Sequence, residues 1–247
     1  MSKLKCAIVC GGTYGLGFEI TKYFVEKKIK VIVLGRGKKK LDEIKRTFNK
    51  NLVETYKCDL SKIGEVNSIF TKIKKKKNII NYLICNAGNG KNTFVLKKTY
   101  QDYINAFNQN LITAVNPIEV LIYKKNFKDL KIINIASIAG DFKGSAPLPY
   151  SLAKNSLINY TKEISKVFAK KKILINSISP GHIFQKNNNW YKKYKSNKAK
   201  IKKFIDNNVS LKRFCVPGDI INVIDFLLSK KSDYITGIDI KVDGKSN

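Results

Sequence analysis

The chain has 247 residues, 43% of them hydrophobic, which suffices for one sizeable core in an α/β domain of ordinary length. Its formal net charge of +30 raises nucleic acid or an anionic membrane as partners, yet only Arg36, Arg46 and Arg213 of its 48 basic residues are arginine, the residue that bidentate readout favours. Lysine is spread over the whole length and Asn and Ile are abundant, so the charge reads as the composition bias of an AT-rich genome, and no run approaches the roughly 18 apolar residues of a membrane span.

In chain order, strand-like and helix-like segments alternate. Leu4 to Cys10 is a short apolar run closed by glycines, a buried strand. Gly15 to Lys28 carries Leu16, Ile20, Tyr23 and Phe24 at helical spacing and ends in positive charge. Lys30 to Leu34 is β-branched and predicts a second strand. Leu41, Ile44 and Phe48 predict a helix, Val53 to Cys58 a third strand, and Val66, Ile69, Phe70 and Ile73 another helix. Ile79 to Cys85 is a fourth strand. Thr99 to Asn126 is helical but holds Pro117, which kinks a helix or starts a new one. Lys131 to Ala136 is a fifth strand. Beyond Tyr150, residues Ala153, Leu157, Tyr160, Ile164 and Phe168 make one apolar helix face. Leu174 to Ser179 is a sixth strand. Residues 185–209 are rich in Lys and Asn and predict a mobile flap with one or two short helices. Pro217 to Leu228 is a helix with Pro in its first turn, and Gly237 to Val242 a last strand. Such alternation implies a parallel sheet covered on both faces. No repeat or linker divides the chain.

Cys6, Cys10, Cys58, Cys85 and Cys215 are scattered and read as buried, reduced thiols. No Cys/His cluster has metal-ligand spacing, so no metal is expected. The basic N-terminus leads into an apolar run that stops at Gly11-Gly12, too soon for an export signal. The cytoplasm is the expected compartment.

Directly after the first strand stands Cys10-Gly11-Gly12-Thr13-Tyr14-Gly15-Leu16-Gly17. Glycines there let the backbone turn sharply and approach a diphosphate, and the following helix offers free N–H groups and a positive dipole end. The second strand ends Val33-Leu34-Gly35-Arg36, where a nucleotide would place its adenosine ribose. No carboxylate occurs there until Asp42, whereas Arg36 suits a 2′-phosphate, so NADP(H) is favoured over NAD(H). Asp59 follows the third strand and Asn86-Ala87-Gly88 the fourth. Those positions suit an adenine amino group and a passage beneath a cofactor, or ordinary turns.

The catalytic signal is Tyr150-Ser151-Leu152-Ala153-Lys154, preceded by Ile135-Ala136-Ser137. Residues i and i+4 share one helix face, so Lys154 sits one turn from Tyr150. A free phenol has a pKa of about 10. A neighbouring ammonium is expected to lower it, and a hydroxyl at Ser137 can bond a substrate oxygen as charge develops on it.

With these motifs, Asn110, Pro180-Gly181 and the ending Thr236-Gly237 to Val242-Asp243-Gly244, the chain resembles the short-chain dehydrogenase/reductases of compact type over nearly its whole length. The resemblance implies an α/β doubly wound Rossmann-type three-layer fold with a central parallel sheet of about seven strands. It implies one catalytic domain over 1–247 with a substrate flap at about 184–209. It implies a tetrad of Asn110, Ser137, Tyr150 and Lys154: Tyr150 as acid or base, Ser137 polarising the carbonyl, Lys154 holding the nicotinamide ribose, and Asn110 keeping a water in a proton relay. Cofactor contacts are expected from Gly11, Thr13, Tyr14, Gly15, Leu16, Gly17, Arg36, Asp59, Leu60, Asn86, Ala87, Gly88, Pro180, Gly181, Ile183 and Gln185. A homodimer or homotetramer follows too, with the Tyr150 helix and its neighbour at the interface. Two positions depart from the family pattern. Cys10 stands where Thr is usual, and Phe184-Gln185 where a Thr often bonds the nicotinamide carboxamide.

The expected reaction is reversible carbonyl reduction by hydride transfer. The expected substrate is a sugar, polyol or sugar derivative, which the Gln185 to Tyr191 stretch with Trp190 resembles within the family; the flap lysines offer a 3-oxoacyl thioester as the alternative. His182 is a substrate contact or a packing residue, and Trp190 and Tyr191 line the pocket or dock the flap. The rival functions are a non-catalytic dinucleotide-binding sensor and a nucleic-acid binder that exploits the charge.

Overall fold

The computed structural model describes residues 4–90, 98–141, 146–186 and 188–246. Residues 1–3 of the basic N-terminus and residue 187 of the expected flap lie outside them.

Seven strands form one parallel sheet in the order β3-β2-β1-β4-β5-β6-β7. They are β1 (Cys6–Cys10), β2 (Lys30–Gly35), β3 (Val53–Lys57), β4 (Ile80–Cys85), β5 (Phe127–Ile135), β6 (Leu174–Pro180) and β7 (Asp239–Val242). Side chains alternate across the pleat. From β1 and β2, Cys6, Ile8, Cys10, Ile32 and Leu34 enter one apolar core, and Ala7, Val9, Val31 and Val33 the other. The first core is closed by α3 (Ile63–Lys75), α5 (Thr113–Lys124) and α6 (Leu148–Phe168). The second is closed by α1 (Leu16–Glu26), α2 (Lys38–Thr47) and α9 (Pro217–Leu228). Each fully buried Ile or Leu contributes roughly 1.5–3 kcal/mol, and the centre of the sheet is almost wholly such residues. All five cysteines are free and buried, and burial pushes the thiols of Cys6, Cys58 and Cys215 up to about 12. Among the described residues no helix is long and apolar enough to cross a membrane, and no acidic, Cys or His cluster could hold a metal ion.

Strand order reverses between β1 and β4, and in open parallel sheets ligands bind at the carboxyl ends beside such a switch. The glycine turn follows β1 and Asn86-Ala87-Gly88 follows β4, so the topology brings both motifs to one crevice.

Two elements differ from the sequence expectation, while the flap matches it. Pro117 does not start a helix. It lies inside α5, near enough to the start that its missing N–H costs at most one bond. The irregularity is upstream, a π turn at Asn108–Ile112 between α4 (Tyr100–Phe107) and α5. β5 starts at Phe127, four residues earlier than expected, and the start of its pairing with β4 is irregular, with Asp129 at a φ of 48°. The flap holds two helices, α7 (Asn189–Ser196) and α8 (Lys198–Asn208).

Left-handed backbone falls on lysine unusually often. Lys28, Lys77, Lys125 and Lys172, with φ between 51° and 57°, each end a helical segment where glycine is the usual residue.

Candidate active site

The glycine turn is built for close backbone approach. A Cβ on Gly17 would lie 2.0 Å from the Gly11 carbonyl oxygen and 2.6 Å from Asn86 Nδ2, and one on Gly11 would lie 2.9 Å from Ala87 Cα. Asn86 donates from Nδ2 to the Gly11 carbonyl at 3.1 Å, which ties the loops after β1 and β4 together. Gly15, at φ 58°, is the N-cap of α1, and no side chain caps that helix. The amides of its first turn therefore face the crevice, as a diphosphate requires. The cradle fits a dinucleotide.

At the adenosine end, Arg36 and Lys38, Lys39 and Lys40 of the first turn of α2 are all exposed. Lys40 Nζ lies 4.8 Å from the centre of the Tyr14 ring, so a lysine of α2 reaches back to the glycine turn. Thr13 packs against Gly35 at the end of β2. Asp59 accepts from the Ser61 amide and hydroxyl at 3.1 and 2.8 Å. Partial burial raises its carboxyl, but the Ser61 bonds and nearby Arg36 outweigh that and hold it below the usual range. Leu60 is buried, and its carbonyl accepts from Asn116 at 3.0 Å.

The four proposed catalytic side chains converge. Ser137, just past β5, is oriented by the Ala139 amide, which donates to its Oγ at 3.2 Å, and it is the hydrogen-bond partner of Tyr150. Lys154 is buried one turn along α6; its Nζ donates to the Ile135 carbonyl at 2.7 Å and lies 6.0 Å from the Tyr150 ring centre. Asn110 sits in the π turn. Its Nδ2 donates to the carbonyls of Ala106 and Asn89 at 3.0 and 3.2 Å, and its Oδ1 accepts from the Asn89 amide at 2.9 Å. Gly88 keeps these groups close: a Cβ there would lie 2.9 Å from Asn110 Oδ1 and 3.4 Å from Lys154 Nζ.

The electrostatics differ from the expectation that Lys154 lowers the Tyr150 phenol. Burial dominates and raises Tyr150 above its ordinary value, while the Ser137 hydroxyl opposes the rise. Burial also brings Lys154 down to about 8. The physical reason is desolvation of the phenol, while the Lys154 ammonium is engaged by the Ile135 carbonyl and lies 6.0 Å from the ring centre.

Beyond β6, Gly181 passes tightly by Asp243, donating its amide to the Val242 carbonyl at 2.9 Å. His182 and Phe184 exchange backbone bonds with Cys215, and Ile183 bridges to it. Burial and then Lys193 hold His182 below its ordinary pKa. Its ring meets Trp190 at 4.8 Å and Phe204 at 5.3 Å; Trp190 also stacks on Phe204 at 5.0 Å and tilts on Phe214 at 5.6 Å. Tyr191 lies 5.7 Å from Phe184. These contacts pin α7 and α8 to the body.

A family model described as enoyl-(acyl carrier protein) reductase matches residues 11–244. The chain is a short-chain dehydrogenase/reductase. It is an NAD(P)(H)-dependent oxidoreductase of carbonyl and alcohol groups. Carbonyl reductase family member 4 of Xenopus laevis is 29% identical, covering 99% of this chain and 98% of that one. A 3-oxoacyl-[acyl-carrier-protein] reductase FabG of Buchnera aphidicola is 31% identical over 97% of this chain and 96% of its own length. Among solved structures, 4-hydroxyisoleucine dehydrogenase complexed with NADH is 30% identical at a TM-score of 0.86, covering 97% of both chains. L-sorbose reductase of Gluconobacter frateurii, complexed with NADPH and L-sorbose, shares the fold at a TM-score of 0.88 and 22% identity, covering 99% of this chain and 97% of that one.

Some groups of this short-chain reductase's crevice were not readable from its residues alone. The Ile135 and Asn89 carbonyls are main-chain acceptors with no sequence signature. Thr113, whose Oγ1 donates to the Ala87 carbonyl at 3.2 Å, supports the loop after β4 from α5. Lys40, in the first turn of α2, reaches the Tyr14 ring through its place in the fold, for which its sequence neighbourhood carries no signal.

Proposed function

We propose that this enzyme uses NADPH to reduce the keto group of a 3-oxoacyl thioester. The observation that carries the chemistry is the convergence of Ser137, Tyr150 and Lys154 beside the glycine turn. When bound, the nicotinamide supplies hydride to the carbonyl carbon. Tyr150 delivers the proton to the carbonyl oxygen, and Ser137 bonds that oxygen as negative charge builds. Lys154 holds the ribose hydroxyls, and its lowered pKa suits it to pass on a replacement proton near neutrality. Asn110 positions a water on that route.

Arg36 and the lysines that open α2 favour a 2′-phosphate, and no acid at the end of β2 favours NADH. For the substrate, likeness to acyl-carrier-protein reductases and the lysines of α7 and α8 support a thioester with an anionic carrier. The sugar reading leant on Trp190, whose ring is engaged by His182, Phe204 and Phe214. A dimer or tetramer is part of this proposal: Tyr123 on α5 and Leu148 and Val167 on α6 are exposed apolar residues at the helices expected to pair.

Fluorescence titration with NADPH and NADH, then turnover on 3-oxoacyl thioesters, ketoses and simple ketones, tests the reading. NADPH should bind at least tenfold more tightly and thioesters should turn over fastest. Tyr150→Phe should lose at least 10²-fold in turnover while binding NADPH normally, within the range expected for general acid catalysis. Turnover of ketoses alone would return the assignment to sugars, and unchanged turnover in Tyr150→Phe would remove Tyr150 from the chemistry.

A further inference from the structure

In a parallel sheet every crossover helix returns the chain to the same edge, so the six connections from helix to strand gather at the amino ends of the strands, opposite the glycine turn. A Lys-Lys pair stands at five of these connections, beginning at residues 27, 76, 124, 171 and 230, and Lys50 at the sixth. Their one acidic residue is Asp233, which Lys131 holds at 2.6 Å. Of the carboxylates beside them, Asp225 pairs with Lys27 at 3.0 Å, and Glu54 with Lys30 and Lys76 at 2.7 and 2.9 Å. Lys28, Lys125, Lys172, Lys230 and Lys231 are exposed and form no ion pair among the described residues, and against them stands only the exposed Asp129. Local stability accounts for half of each pair. A cation at a helix C-terminus complements the dipole, and the first lysine meets that need. The second, at residues 28, 77, 125 and 172, takes left-handed backbone with φ between 51° and 57°, where glycine would be unstrained.

We propose that this lysine-tipped face docks the protein peripherally on an anionic phospholipid surface. The helices end on both sides of the sheet, α3, α5 and α6 on one and α1, α2 and α9 on the other. Their tips form two basic rows along an edge roughly 30 Å long, at about 4.8 Å per strand. A bilayer is flat and meets both rows at once, whereas a nucleic-acid duplex is a cylinder and meets them less completely. A layer of phospholipid headgroups asks for point charges on flexible stems rather than for the bidentate fork of arginine. Leu4, just before β1, and Tyr234, between α9 and β7, are exposed at the same edge. An apolar and a phenolic side chain beside lysines suit the headgroup boundary. Docking by this edge leaves the crevice at the carboxyl ends facing water, so the bound protein keeps its turnover.

The test is co-sedimentation of the full-length chain with vesicles of phosphatidylcholine alone or with about 30% phosphatidylglycerol, at about 0.1 and 0.5 M salt. Wild type should bind the anionic vesicles at least about tenfold more tightly, and high salt should erase the preference. The face variant combines Lys28→Gly, Lys77→Gly, Lys125→Gly and Lys172→Gly, at backbone positions that glycine adopts freely. It should weaken anionic-vesicle binding about tenfold or more and leave turnover with NADPH unchanged. A charge-matched variant, with Lys192, Lys200, Lys202 and Lys203 of the flap each changed to Gln, should weaken it no more than about twofold. Should the glycine variant fail to fold, Lys170→Gln, Lys171→Gln, Lys230→Gln and Lys231→Gln at exposed side chains of the same face put the same question. The proposal is overturned if wild type shows no preference for anionic vesicles, or if the face variant loses no more binding than the flap variant, which would make net charge the whole cause. Duplex RNA that displaces the protein from vesicles at equal phosphate would overturn it in favour of nucleic acid. Vesicle binding needs no cofactor, so none of these failures touches the oxidoreductase reading.

Discussion

Lys154→Met removes a buried ammonium while keeping most of the side chain's volume. Burial holds this lysine at about 8, against 10.5 when exposed. Below pH 8 it is charged in both states and the folded state bears the desolvation. Between about pH 8 and 10.5 the unfolded chain binds the extra proton, so wild-type stability rises with pH across that window. At about 1.4 kcal/mol per pH unit the relief is at most about 3 kcal/mol. The methionine also forfeits the 2.7 Å bond to the Ile135 carbonyl, which costs roughly 1–3 kcal/mol at every pH. The two nearly cancel at pH 7, where the variant should be about as stable as wild type. By pH 10.5 wild type should lead by roughly 2–3 kcal/mol. Urea unfolding of cofactor-free protein at both pH values measures this, with the other lysines cancelling in the difference. A stability difference that does not move with pH would refute the account of Lys154 as a penalised charge. Turnover should be lost at every pH.

Gly17→Ala forces a methyl to within 2.0 Å of the Gly11 carbonyl, a backbone atom that cannot swing aside, so NADPH affinity should fall at least tenfold in a fluorescence titration. Arg36→Ala should cut the preference for NADPH over NADH by about 10- to 100-fold, read as the ratio of the two dissociation constants, while leaving NADH binding nearly unchanged. Burial raises Glu54, but bonds from Lys30, Lys76 and Tyr56 prevail and hold it at about 2. Its stabilisation is complete above about pH 4.5 and lost as pH falls through 2. Glu54→Gln should therefore destabilise the protein at pH 7 by about 1–3 kcal/mol and flatten its acid limb between those values in thermal melts.

The fold was legible because its core strands are continuous apolar runs punctuated by glycine, and because the helix beginning at Leu148 shows its apolar face plainly. The site was legible where side chains carry the chemistry: Ser137, Tyr150 and Lys154 all come together. Sequence spacing failed where backbone does the work. It placed Lys154 beside Tyr150 correctly but could not show that Lys154 Nζ turns to a carbonyl. It flagged Pro117 and missed the π turn that seats Asn110, whose side chain is held there by the Asn89 and Ala106 carbonyls, main-chain acceptors with no sequence signature. The start of β5 escaped because Lys128 and Asp129 are exposed there, leaving no alternating pattern to read. The sequence leaves open whether Trp190 lines the pocket or docks the flap, because an aromatic in a polar flap carries no sign of which rings will meet it.

The four left-handed lysines at helical ends bear on how this protein can be altered. An L-residue in that conformation costs roughly 1 kcal/mol relative to glycine, of which a cation near a helix C-terminus recovers only 0.3–1 kcal/mol. Glycine at positions 28, 77, 125 and 172 would together return about 1–3 kcal/mol, against a typical total margin of about 5–15 kcal/mol. The lysine-rich composition is thus a load carried at the corners of the fold, and those corners are where a hardier version of the enzyme can be made without approaching its crevice.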